Sequence, residues 1–125
     1  MQGSQYPIEM QQGSTFELQL TIKDADGNVR DLTDCNLVMQ IRSTYSAATP
    51  AETLSIAGGE IVVAPAEGKA NVTLSAARTA AIKVDLASKK PPKSLYVYDL
   101  EFTDAFGTVS KLLYGDVTVY GEVTR

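Results

Sequence analysis

The sequence predicts an all-β antiparallel sandwich of about seven or eight strands with one short crossover helix. Three observations carry that expectation. Apolar and polar residues alternate at period two in segment after segment, turn residues recur roughly every 8–12 positions, and one short Ala-rich stretch alone departs from the pattern.

A chain of 125 residues is enough for one domain, read here as residues 1–125 with a polar N-terminal arm over residues 1–5. A domain of this size buries roughly two-thirds of its unfolded surface, so its core needs neither metal nor disulfide.

The elements follow in chain order. Residues 6–11 read as a short first strand. In residues 15–23, Phe16, Leu18, Leu20 and Ile22 share one face, and Glu17, Gln19, Thr21 and Lys23 the other, as in a half-buried strand. Leu37, Met39 and Ile41 repeat the pattern over residues 36–42. Residues 52–56 and 60–64 flank Gly58-Gly59 and read as a hairpin. Val72 and Leu74 alternate with Asn71 and Thr73. Ser75 then stands where it can cap a short helix over AARTAAIK, a run that only packing can hold and that fits a crossover between sheets. The Lys- and Pro-rich ASKKPPKS segment, with Lys89, Lys90 and Lys93, reads as an exposed loop. Tyr96, Tyr98, Leu100 and Phe102 form one face of a late strand, and Val117 and Val119 belong to a long final one. The expected core is Phe16, Leu18, Leu20, Ile22, Leu37, Met39, Ile41, Leu74, Tyr98, Leu100 and Val117. This number and spacing of strands suits a sandwich or a small barrel; in immunoglobulin-like sandwiches a tyrosine near the start of the sixth strand bonds back to upstream backbone, and Tyr96 and Tyr98 are the two candidates.

The chain echoes itself. LTIKDADGNVRDL from Leu20 aligns with LEFTDAFGTVSKL from Leu100, matching Asp24 with Asp104 and Gly27 with Gly107. In each, the Asp accepts a local backbone hydrogen bond and the Gly supplies a positive φ, so one turn chemistry serves twice.

Composition excludes several functions. Net charge is −4, against the basic footprint that nucleic-acid binding needs. Histidine is absent, and with it the commonest general base and metal ligand. Cys35, the lone cysteine, reads as a small buried apolar residue. No apolar run nears the ~20 residues of a membrane span, and the opening residues lack the basic flank and apolar stretch of a signal peptide. The Asp24–Asn28 stretch has its glycine in the wrong place for a calcium loop. Asp99 and Glu101 share a strand face, but an outward one; Asp104 and Asp116 add no cleft. No catalytic, cofactor-binding or metal-ligating residue is expected, and the protein reads as a non-enzyme.

The segments GSTFELQLTIKDADGNVRDLTDCNLVMQIR, VTLSAARTAAI and LYVYDLEFTDAFGTVSKLLYGDVTV resemble the small immunoglobulin-like β-sandwich proteins of tailed bacteriophages, among them the N-terminal domain of baseplate upper proteins and short tail-fibre or tail-associated proteins. Gly13 to Phe16, Asp31 to Thr33 and Tyr96 to Leu100 carry the resemblance, which runs from about Ile8 to Thr124. Asp34 and Cys35 stand where those proteins often have a Gly-aromatic pair. The resemblance implies a virion component made in the host cytoplasm: a tail or baseplate adaptor or fibre-anchoring module, without cofactor, docking on other virion proteins in several symmetric copies. A head decoration protein and a carbohydrate-binding module that touches the host surface are the alternatives; the absence of Trp counts against the second. Met1 to Gln5 is the expected anchoring arm.

Overall fold

A computed structural model describes residues 4–87 and 91–123. Their strands are β1 (Ser4–Gln5), β2 (Ile8–Gln11), β3 (Phe16–Thr21), β4 (Asn36–Arg42), β5 (Glu52–Ser55), β6 (Ile61–Ala64), β7 (Lys69–Leu74), β8 (Lys93–Thr103) and β9 (Val109–Tyr120), with one helix, α1 (Ala76–Ala81). They form two layers. One sheet runs β1-β9-β8-β4-β5, with β2 also on β9; the other runs β3-β7-β6. This is the strand order of an immunoglobulin-like sandwich. Because β1 and β2 are one path interrupted at Tyr6-Pro7, the architecture matches the expected strand count.

Two details depart from expectation. The first strands are not antiparallel: Ser4 pairs with Leu113 and Ile8 with Val117, parallel to β9. Nor do residues 52–56 and 60–64 make a hairpin. β5 pairs with β4 in one sheet and β6 with β7 in the other. The Gly58-Gly59 segment therefore carries the chain across the sandwich, and Leu54 and Ile61, on either side of it, are both buried.

The core lies between the sheets. Ile22, Leu37, Met39, Ile41, Leu74, Tyr98, Leu100 and Val117 are buried as the alternation requires. Phe16, Leu18 and Leu20 are only half-buried against this cluster. Ile8, Met10, Leu54, Ile61, Val72, Phe102 and Val119 complete the filling.

The crossover helix is held as its sequence suggests. The Ser75 side chain accepts the Arg78 backbone N–H at 3.3 Å, satisfying one of the donors a helix start leaves open. The first strand path is fixed by a close approach: Gly115 faces Tyr98 in the ladder, and a Cβ there would lie 2.9 Å from the Tyr6 carbonyl oxygen. That carbonyl also accepts the Tyr98 hydroxyl at 2.6 Å. Any side chain at residue 115 would push Tyr6 off the sheet.

Part of the expected anchoring arm is thus used internally. Ser4 and Gln5 lie on the chain's own β9, and the Tyr6 N–H donates to the Tyr114 carbonyl at 2.9 Å. Met1, Gln2 and Gly3 lie outside the described residues, as do Lys89 and Lys90.

Candidate docking surfaces

The echoed segments fold into the same turn. The Asp24 carboxylate accepts the N–H groups of Asp26 and Asn28, both at 3.0 Å. The Asp104 carboxylate accepts those of Phe106 and Thr108, both at 2.9 Å. In each, the Gly N–H donates to the Asp carbonyl at 3.0 Å, and Gly27 and Gly107 have φ of 84° and 88°. Both turns lie at one end of the sandwich, where Arg30 reaches Asp104 at 3.6 Å and stacks over the Phe102 ring at 4.7 Å. The turns differ at their tips: where one carries Asp26, the other carries Phe106, 95% exposed. Val29 and Val109 are about half exposed at the same end. The β8–β9 hairpin thus offers an aromatic ring to solvent from a rigid mount.

At the opposite end the helix is stitched to both sheets. Arg78 holds Glu52 at 2.5 Å and Glu60 at 2.6 Å, and its guanidinium also reaches the Thr53 carbonyl at 3.2 Å. Glu60 in turn accepts the Ser55 N–H at 3.0 Å. That backbone hydrogen bond, then Arg78, hold the Glu60 carboxyl below its ordinary range. Arg78 is a clamp on the crossing between β5 and β6. Thr79, buried on the same helix, accepts the Gly13 N–H at 3.1 Å and donates to the Ser14 carbonyl at 2.8 Å.

The third region is the outer surface of the larger sheet. Val38, Gln40, Arg42, Tyr45, Val97, Asp99 and Glu101 line a shallow concavity of about 290 Å³ there. A bulge where β8 passes from Leu100 to Glu101 shifts the β9 register by one residue, so Lys111 points outward and pairs with Asp99 at 3.5 Å.

These placements account for the residues singled out in the sequence. Asp24 is engaged by its own turn. Asp99 is tied to Lys111 and Glu101 is exposed, both on an open face rather than in a cleft, while Asp116 is exposed and Asp104 is bound to Arg30. Among the described residues no group of three or more Cys, Asp or Glu could hold a metal ion, and no helix is long and apolar enough to cross a membrane. Cys35 is half-buried rather than buried, with its sulfur 3.6 Å from the Thr33 carbonyl oxygen. Both tyrosine candidates tie to upstream backbone: Tyr96 donates to the Lys83 carbonyl, 13 positions back, at 2.6 Å, and Tyr98 to the Tyr6 carbonyl of the first strand path, also at 2.6 Å. Burial raises both phenols above the ordinary tyrosine value. Asp34 has φ of 60°, the left-handed conformation that glycine adopts more readily than any other residue. Lys93 is exposed at the start of β8.

Sequence reasoning missed the Arg78 clamp and the Arg30 bridge. Neither has a local signal, since Arg78 and Glu52 stand 26 positions apart.

The class defined by fold and surface is an all-β sandwich with an aromatic-tipped hairpin at one end and an open sheet face. No protein-family model matches the chain, and no curated protein matches it significantly.

Proposed function

We propose that this chain is a structural protein of a tailed-phage particle, a tail or baseplate adaptor or fibre-anchoring module that works by docking. The observation that carries the reading is Phe106. It stands almost wholly in solvent at the tip of a hairpin locked by Asp104 and braced by Arg30. An apolar ring held out this way has a hydration cost and no partner in its own core, and buried aromatic anchors dominate protein–protein interfaces. The sequence resemblance supplies the virion context, and a sandwich used in several symmetric copies suits it.

The test is negative-stain imaging of intact particles labelled on this protein. Label at the tail or baseplate is expected. Label over the capsid would replace the reading with head decoration, and unlabelled particles would remove the virion context altogether. In parallel, Phe106→Ala should leave the melting curve unchanged while reducing the copies found in purified particles.

A further inference from the structure

We infer that a second copy of this chain docks face to face on the outer surface of the β9-β8-β4-β5 sheet, about a two-fold axis that brings Arg42 of one copy onto Glu101 of the other. The two outer faces of the sandwich differ. The β3-β7-β6 sheet presents Glu17, Gln19, Thr21, Lys69 and Asn71, with Val62, 64% exposed, as its outward apolar residue on the edge strand β6. The larger sheet places Val38 and Val97 outward on central strands and adds Tyr45, 74% exposed, at the rim of the concavity.

Charge selects the occupant. The chain carries −4, so two copies repel in most orientations. This patch is balanced, with Arg42 and Lys111 against Asp99 and Glu101. Lys111 and Asp99 pair with each other. Arg42 and Glu101 make no ion pair among the described residues. Arg42 is laid along the sheet by its bonds to the Ala47 carbonyl at 2.8 Å and the Gln40 side chain at 3.0 Å, which use two of the five N–H donors a guanidinium carries.

The ladder register supplies the symmetry. Arg42 stands beside Val97, Glu101 stands beside Val38, and the Gln40–Asp99 pair lies midway between them. A two-fold axis across that middle row carries the Arg42 end of one copy onto the Glu101 end of the other, and does so twice, while Asp99, on the axis, meets its own copy with its charge already paired to Lys111. An isologous interface requires this self-complementarity. Three strands of about seven residues and the four residues of β5, at ~3.3 Å per residue and ~4.8 Å between strands, span roughly 400 Å² per copy. That is the low end of interface sizes, so the dimer is weak, with a Kd in the micromolar range or above.

This inference goes beyond the virion reading and does not depend on it, since it is measured on the purified chain alone. In sedimentation equilibrium of the full chain, the weight-average mass should climb from 13.4 kDa toward twice that value at sub-millimolar concentration. Arg42→Glu and Glu101→Arg should each weaken association at least tenfold, and an equimolar mixture of the two should restore it. A wild-type chain that stays monomeric, single variants that associate like wild type, or a mixture that fails to associate while both variants keep the native circular dichroism spectrum would overturn the inference. A dilution series of the wild type by NMR reads the same face without mutation. Shifts centred on Val38, Val97 and Glu101 support it, and shifts confined to the Phe106 hairpin or the β3-β7-β6 face contradict it.

Discussion

Thr79→Val isolates what one hydroxyl contributes. Thr79 is fully buried, and valine has nearly its shape, so packing is preserved while the hydrogen bonding is lost. The hydroxyl serves two backbone groups of the turn between β2 and β3: it accepts the Gly13 N–H and donates to the Ser14 carbonyl. Two ordinary hydrogen bonds contribute about 1 kcal/mol each, and leaving either group partly out of water without a partner adds to the loss. The expected destabilisation is about 2–3 kcal/mol. Unfolding entropy near 2.1 cal/mol/K per residue makes 1 kcal/mol worth roughly 4 °C for a chain of this size, so the melting temperature should fall by about 8–12 °C. Urea titration should show a lower midpoint with an unchanged slope, because the surface exposed on unfolding is the same. The control is Thr21→Val on the exposed side of β3. If Thr79→Val costs no more than Thr21→Val, the hydroxyl does not tie the helix to the turn.

Two further outcomes follow from the core and the clamp. Leu100→Ala should lose about 2–5 kcal/mol, since Leu100 is buried on a central strand, whereas Glu17→Ala on the exposed face of β3 should lose little; equal shifts in thermal melts would mean the faces are misassigned. Because the folded-state pKa of Glu60 is depressed, its contribution is fully present above the ordinary carboxylate value and is lost as pH falls through the lowered one. Glu60→Gln should therefore be less stable than wild type at neutral pH, with the gap closing toward pH ~3; a constant gap in urea midpoints would rule out the carboxylate as its source.

What could be read from the sequence was what is local. Alternation exposed the inward faces of β4 and β8 because each strand is half-buried, and the Asp24 and Asp104 turns were legible because their hydrogen bonds close within four residues. Gly58-Gly59 misled for the same reason. A pair of glycines reverses a chain within one sheet or carries it between two, and only the distant partners, β4 for one strand and β7 for the other, decide which. The half-burial of β3 likewise depends on how much packs over its inward face, which its own alternation does not encode. Phe106 was legible as a residue of a turn, but its exposure follows from the hairpin reaching past the end of the sheets.

The parallel pairing of the first strands with β9 also has a mechanical meaning. The path through β1 and β2 leaves the sheet on the Ser4 side, beside Leu113, while β9 leaves it at Tyr120, beside Gln11. Tension applied between these two points draws the neighbouring strands lengthwise in opposite directions. Their hydrogen bonds, perpendicular to the pull, are then loaded together instead of parting one after another. Tyr98, anchored in the core with its hydroxyl on the Tyr6 carbonyl, braces the joint at its weakest point, where Pro7 interrupts the ladder. Strain along that line would meet a latch that yields all at once, and the long β8–β9 hairpin behind it would be shielded until it did.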